Sequence, residues 1–245
     1  MNMRICAIIE ARMTSKRLPG KVLLKANGKS FFEILVKRLK KVRELSDIIL
    51  ATTTNKQDDI LVKEALKFKL KIFRGSEDKV VERILGASQK FKVDIIVGIT
   101  ADCPLIDPEI VSLTINTYLN NDADYVSNGH IRSFPDGMDC HVFSTKVLKK
   151  SFQMIKTGPE TEHLGLSIRN NPKIFKKFTI IAPKSLHWPD LGLTLDEIED
   201  YKFLKKILNK FKNKKFFSCI DIISYLKKNK HLLKINRHVI RKGDN

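Results

Sequence analysis

Apolar positions in the first hundred residues alternate between two rhythms. Short apolar runs at residues 4–9, 47–51, 70–73 and 94–100 read as strands, the first of them buried. Between them apolar residues recur at helical spacing. Phe32, Leu35, Val36, Leu39 and Val42 mark one helix, and residues 58–68, 79–91 and 108–119 mark three more. This alternation predicts an α/β fold, a doubly wound and mainly parallel sheet of Rossmann-like type. Ligands of such sheets collect beyond the carboxyl ends of the strands, so the loops there are where chemistry is expected.

The rhythm changes after Asp124. Asn128-Gly129 and Pro135-Asp136-Gly137 are turn signals between short strands within residues 125–144. Helices are expected at 146–155 and 161–169, a strand near 174–181, a helix at 197–211, and a basic terminal helix over 217–226. With no internal repeat and no low-complexity linker, the economical reading is a single domain over residues 1–211. It carries a small inserted lobe at about 128–183, and a basic helix and tail follow at 212–245. The segment from Asn229 onward is short, polar and basic, with His231, Leu232, Leu233 and Ile235 as its only docking contacts. It is expected to be removable without loss of activity, the alternative being that Leu232 and Leu233 pack on the body or on a partner subunit.

Composition narrows the picture. A chain of 245 residues can bury a full core. The net charge of +19 is uneven: from Lys202 onward there are 14 Lys/Arg against 2 Asp, which leaves +7 for the first 201 residues. A basic tail on a modest body, without aromatic residues interleaved among the cations, argues against specific nucleic-acid binding. No apolar run approaches the roughly 20 residues needed to span a bilayer, and the first is too short for a secretory leader. Cys6, Cys103, Cys140 and Cys219 lie far apart with no metal-ligand spacing. They read as reduced thiols of a cytoplasmic protein without membrane insertion.

Three segments could carry chemistry. The loop after the first strand, residues 10–21, holds Arg12, Lys16, Arg17 and Lys21 where a parallel sheet presents its crevice. Arg and Lys there suit a triphosphate, although a solvated basic loop would look the same by charge alone. Neither GxGxxG nor GxxxxGK[ST] is present. At the end of the fourth strand Asp102 points toward the crevice, where a buried charge requires a counter-ion such as Mg²⁺. Asp107 before Pro108 has a structural role, capping the next helix. Asp196 opens a third acidic segment ahead of a helix, where the dipole favours acids whatever the function. Together with Asp102 it could complete a divalent metal site.

Residues 9–23, beginning Ile9-Glu10-Ala11-Arg12 and ending Pro19-Gly20-Lys21-Val22-Leu23, resemble the opening signature of the cytidylyltransferases that make CMP-Kdo and CMP-acylneuraminate. The branch of spore-coat polysaccharide biosynthesis protein F is the most similar. Further marks follow in order: Ala51-Thr52-Thr53, Phe73-Arg74-Gly75-Ser76 with Asp78 and Arg83, residues 100–108, residues 124–128, Pro135-Asp136-Gly137, Glu162-His163, and Leu193-Thr194-Leu195-Asp196 with Glu199-Asp200-Tyr201.

The resemblance spans roughly residues 3–208. It implies a nucleotide-sugar-transferase-like fold, a Mg²⁺-dependent transfer from a nucleoside triphosphate (CTP) to a sugar acid or sugar phosphate, and a homodimer. By the same resemblance the nucleotide lies on Ala11, Arg12, Ser15, Arg17, Lys21, Ala51, Arg74 and Asp102. Asp102 and Asp196 hold the metal, and Lys21 and Arg17 join them in catalysis. Asn128, Asp136, Glu162 and His163 face the sugar. The chain departs from the family pattern at Thr161 and Gly192, where arginine is frequent, and this leaves the sugar's identity open. A catalytically silent sugar- or nucleotide-binding homologue, and a nucleic-acid-binding protein driven by the basic tail, are the alternatives.

Overall fold

In the computed structural model, which describes residues 3–156 and 158–241, the first half of the chain follows the alternating pattern. Strand β1 (Ile5–Glu10) leads through a small hairpin, β2 (Lys25–Ala26) and β3 (Lys29–Ser30), into helix α1 (Phe31–Leu39). Then come β4 (Asp47–Thr53), α2 (Asp59–Lys67), β5 (Lys71–Gly75), α3 (Val80–Lys90), β6 (Ile95–Thr100) and α4 (Pro108–Leu119). Strands β5, β4, β1 and β6 lie side by side in that order, all parallel. The chain thus moves outward from β1 to β5 and returns to the other side of β1 with β6. That reversal opens a crevice at the carboxyl ends of β1 and β6, where Glu10 and Thr100 stand in register.

Alternation along β1 sets the layers. Ile5, Ala7 and Ile9 join the core under α1, α2 and α4, whereas Cys6 and Ile8 join the core under α3. Each such fully buried aliphatic side chain contributes roughly 2 kcal/mol. Local signals start the helices. Ser30 Oγ accepts from the Glu33 amide at 3.0 Å to cap α1. Asp107 accepts from the Glu109 amide at 3.0 Å to cap α4, with Pro108 in its first turn. Asp107 also accepts from the Cys219 amide at 2.5 Å, so one carboxylate ties two helices together.

The second half is less regular. It comprises β7 (Tyr125–Ser127), β8 (His141–Ser144), α5 (Thr145–Phe152), α6 (Gly158–Glu162), α7 (Leu166–Asn170), β9 (Lys177–Thr179), α8 (Ile198–Lys210) and α9 (Cys219–Lys228). Strand β8 pairs antiparallel with β6, β7 antiparallel with β8, and β9 parallel with β7. Part of the stretch read as an inserted lobe therefore extends the main sheet to seven strands. The helix expected at 161–169 is broken into α6 and α7 at Gly165, whose φ of 81° lies in the left-handed region. A Cβ at Gly165 would meet the Tyr125 ring at 2.8 Å, so the break lets the chain settle on that ring. The strand expected at 174–181 shrinks to three residues, and both Ile174 and Ile181 are exposed.

The tail also differs from expectation. After α9 a 3₁₀ segment, Lys230–Ile235, turns back onto the body. Leu232 joins the core formed by Phe31, Leu105, α8 and α9, and Asn236, Val239 and Arg241 are buried. A segment read as polar and removable is therefore packed, because its few apolar residues and one arginine find partners distant in sequence.

Candidate active site

Beyond β1 the chain crosses the mouth of the crevice as a loop. Gly20, with φ of 69°, closes it by donating its amide to Met13 O at 2.9 Å. Toward β4 the loop is fixed by hydrogen bonds. The Met13 amide donates to Asp58 Oδ1 at 2.7 Å, and the buried Asp58 also accepts from Thr52 Oγ1 at 3.1 Å and the Thr53 amide at 3.2 Å. Ala11 lies buried against Ala51, donating to its carbonyl at 3.4 Å. Arg12 pairs with Glu77 at 3.1 Å, and Asn55 donates to the same carboxylate at 2.6 Å, as does Thr14. The hydrogen bond from Thr14 is the largest of the influences that hold Glu77 below the usual carboxylate range. Arg74 donates to Thr53 O and Asn55 O, both at 2.8 Å, and pairs with Asp59 at 2.6 Å. Of the three arginines assigned to the nucleotide, Arg12 is thus engaged with Glu77 beyond β5 and Arg74 with the turn after β4, and Ser15 lies half-buried in the loop.

The flank toward β6 is built from charges. Lys21 begins a single 3₁₀ turn, Lys21–Leu23, and is buried. Its Nζ lies 2.8 Å from Asp102 Oδ2 and 2.8 Å from Asp196 Oδ1. Asp102 follows β6 by two residues and Asp196 precedes α8 by two, and the Leu195 amide joins the segments by donating to Asp102 O at 2.8 Å. Arg17 adds a second cation, 2.9 Å from Asp196 Oδ2 and 3.3 Å from Glu197, and it donates to Ile240 O at 3.0 Å. Burial alone would push the Asp102 carboxyl up. The Lys21 charge and hydrogen bonds from Lys21 and Thr100 outweigh it and hold the group ionised. Burial likewise opposes the Lys21 charge, and the two carboxylates raise its pKa in spite of that.

A further layer supports this cluster. Asp200, fully buried in the first turn of α8, accepts from the amides of Asp196 at 3.0 Å and Glu197 at 2.9 Å. Its other oxygen accepts from Asn236 and from Arg241, both at 2.8 Å. Asp136 accepts from Thr194 Oγ1 at 2.7 Å and lies 3.3 Å from Arg241. Burial raises the pKa of Asp136. For Asp139 burial and the Asp136 charge together push it up to about 6. Gly137 lets the turn approach: its φ is 94°, and a Cβ there would lie 2.8 Å from the Leu193 carbonyl carbon. At Gly192 a Cβ would lie 1.9 Å from the Arg241 guanidinium, so the tail arginine fills the space beside this glycine.

The structure therefore brings Lys21, Arg17, Asp102 and Asp196 together and places Asp136 next to them. Asn128 is occupied within its own turn. Its side-chain amide donates to Met138 O and accepts from the Cys140 amide, both at 2.7 Å, clamping the turn between β7 and β8. Glu162 and His163 are exposed at the end of α6, and among the described residues no hydrogen bond or ion pair joins them to the Lys21 cluster. Sequence reasoning passed over Asp58, Glu77 and Arg241, and named Asp200 within a family motif without a role. Asp58 and Asp200 look like ordinary acids at helix starts, and Arg241 lies 41 positions from the carboxylate it meets.

Two carboxylate oxygens at 2.8 Å from one cationic nitrogen mark a position suited to a hard point charge. Among the described residues no group of three His, Cys, Asp or Glu side chains converges. Lys21 Nζ holds that position, so a cation such as Mg²⁺ on Asp102 and Asp196 would need the ammonium moved aside and its shell completed by water and phosphate oxygens, and an all-protein cage does not fit.

A family profile described as cytidylyltransferase matches residues 6–234. The chain belongs to the cytidylyltransferase family. An uncharacterized protein of Methanocaldococcus jannaschii, MJ1063, is 37% identical over 98% of this chain and 98% of its own length. The spore coat polysaccharide biosynthesis protein SpsF of Bacillus subtilis is 30% identical over 92% of this chain and 95% of its own. Among solved structures, a cytidylyltransferase from Leptospira borgpetersenii superposes with a TM-score of 0.91 at 33% identity, covering 98% of this chain and 100% of that one. Family membership and the Rossmann-like sheet agree, and no helix among the described residues is long and apolar enough to cross a membrane.

Proposed function

We propose that this cytidylyltransferase joins CMP from CTP to an oxygen of a sugar acid or sugar phosphate, in the cytoplasm and as a homodimer, to supply surface polysaccharide or glycoconjugate synthesis. The acceptor oxygen forms the new bond to the α-phosphorus; a hydroxyl acceptor gives up its proton to solvent, and a phosphate acceptor attacks through an oxygen already ionised. The bond from that phosphorus to the β-phosphate oxygen breaks, and pyrophosphate leaves in line. The observation that carries this reading is the Lys21 ammonium held between Asp102 and Asp196 at the carboxyl ends of β1 and β6.

Residue roles follow from that geometry. Lys21 is held between two carboxylates at the crevice, and with Mg²⁺ on those carboxylates its ammonium would pass to a phosphate beside them. Arg17, on a loop and only partly buried, can exchange Asp196 and Glu197 for phosphate oxygens, to which its planar fork is matched. Asp102 and Asp196 would hold Mg²⁺, which when bound would neutralise charge on the α-phosphate and favour loss of the acceptor proton. Asp136 stands one hydrogen bond from the Asp196 segment and is placed to orient the acceptor. A thermal-shift series with CTP, ATP, GTP and UTP, with and without Mg²⁺, tests the nucleotide half, since a ligand of the native state raises the melt. CTP with Mg²⁺ should give the largest rise. An equal response to all four, or pyrophosphate release absent with every acid acceptor, would sink the proposal.

A further inference from the structure

The basic tail is not used by the chemistry above, yet it forms one wall of a cavity of about 490 Å³. The opposite wall is the loop at residues 188–192, and Arg132 closes one side. Arg132, Lys230, Lys234, Arg237 and Arg241 all line this space, with Asp190 as the acid among the lining residues. Among the described residues no carboxylate pairs with Lys230, Lys234 or Arg237. Apolar surface is supplied by Trp188, Leu233 and Val239. Cations on the rim of a concave site with an apolar floor select a small organic anion: the charge is met at the edge and the body lies on the rings and methyl groups.

The cavity is joined to the Lys21 cluster by named contacts. Gly192 and Arg241 line it, and Arg241 reaches Asp136 at 3.3 Å and Asp200 at 2.8 Å. Ile240, next to Arg241, accepts from Arg17. Arg132 also acts on Asp136 and Asp139, lowering the pKa of each against the effect of burial. The inner wall of the cavity is thus the layer that supports Asp196.

We propose that this cavity receives the acid group of the acceptor, a carboxylate or phosphate on a sugar, with Arg237, Lys234 and Arg132 as the charges that select it. The proposal rests on the nucleotidyl-transfer reading, because only that reading requires an acceptor beside Asp196. Its volume suits a monosaccharide acid. Lys230 and Lys234 on the 3₁₀ segment and Arg237 just beyond it all line this one cavity.

The test is calorimetric binding of three probes to the full chain: 3-deoxy-manno-octulosonate for the carboxylate, glucose 1-phosphate for the phosphate, and glucose as the neutral control. Each is measured with the wild type and with the double variant Lys234→Ala/Arg237→Ala, both exposed positions, with CTP binding in parallel. One acid should bind while glucose does not, and loss of two partly exposed charges should weaken it about tenfold. CTP affinity should change less than about twofold, since no contact joins these two side chains to the Lys21 cluster. Acid binding that survives the double variant, glucose binding as well as the acids, or binding of neither acid overturns the proposal. So does a short RNA that binds with the same loss where the acids do not, which would make the tail a general polyanion surface. Failure of CTP binding in the wild type refutes the transfer reading instead, a result separable from these because acid binding is read without turnover.

Discussion

The loop after β1 is anchored on both flanks, and the anchors differ in kind. Toward β4 the carboxylate of Asp58 is fully buried and is met by the Met13 amide and by the amide and hydroxyl groups of Thr52 and Thr53. Toward β6 the cations Lys21 and Arg17 are met by Asp102, Asp196 and Glu197. A buried carboxylate satisfied by backbone and hydroxyl groups has no partner that a ligand could replace. An anchor made of ion pairs in a crevice can exchange one anion for another, which is what phosphate binding and transfer require. One flank fixes the loop and the other is arranged for chemistry, so mutations on the two sides should fail in different ways.

The largest effect is expected from Asp102→Asn. The side chain keeps its shape and the backbone link from Leu195 persists, so the melt should stay within a few degrees of the parent. Turnover should fall by at least about a hundredfold, since a carboxylate that would hold Mg²⁺ against the transferred group is lost. Steady-state pyrophosphate release beside a melting curve checks both halves. A variant retaining more than a tenth of the parent rate would remove Asp102 from the catalytic set.

Next in size is deletion of the chain from Asn229 onward. This removes Leu232 and Val239, uncovers the core that Leu232 packs against, and strips Asp200 of Asn236 and Arg241, leaving a buried carboxylate with backbone amides and no cation. Apolar exposure and the unpaired charge together should lower stability by at least ~4 kcal/mol. Asp200 also orders the Asp196 amide, so turnover of the remaining folded fraction should drop as well. Denaturant midpoints read the first effect, and an unchanged midpoint would mean the tail contributes no packing.

Asp58→Ala should show the opposite pattern to Asp102→Asn. It leaves the Met13 and Thr53 amides without their acceptor in a buried place, an effect of about 3 kcal/mol. Affinity for CTP in the folded fraction should weaken by less than about tenfold, because Lys21 is held from the other flank. A stable Asp58→Ala protein that has lost CTP binding would reverse the division of labour between the two sides.

How much of this was legible in the sequence depends on the range of the interactions. Strands β1, β4, β5 and β6 are continuous apolar runs with helices between them, so their order and parallel pairing follow from local pattern and the chirality of crossovers. Lys21, Asp102 and Asp196 could be found because each ends or begins an element at the crevice. The second half is harder. Strands of three or four residues and helices of five carry too few positions for a period to show. The family resemblance assigns Asn128 to the sugar, and in the fold the turn itself takes up its amide. Arg241 was invisible for a different reason: its partners Asp136 and Asp200 are set by tertiary packing, and no local pattern announces that a basic tail will return.

A pH-dependent effect sharpens the electrostatic side of the comparison. Asp139 sits just past the Gly137 turn and accepts only a long 3.4 Å hydrogen bond from the Gly137 amide. Burial, and then the charge on Asp136, push its pKa from 3.8 up to about 6. The sign follows from proton linkage: a group whose folded pKa is raised holds its proton more tightly in the native state. Its stabilising contribution is complete below the unfolded value and is lost as pH rises through the folded one. Between pH 3.8 and about 6 the parent should therefore lose stability from this residue, and above that window the ionised carboxylate is a net strain on the fold. Asp139→Asn keeps the shape and removes the titration. The variant should match the parent near pH 4 and exceed it by about 3 kcal/mol at pH 7.5, several degrees in the melt. Paired melting curves at half-unit steps of pH read the difference directly. A gap between variant and parent that does not grow across that window would show that Asp139 is ionised throughout, and that the acids around Asp136 are better neutralised by Arg132 and Arg241 than their burial implies.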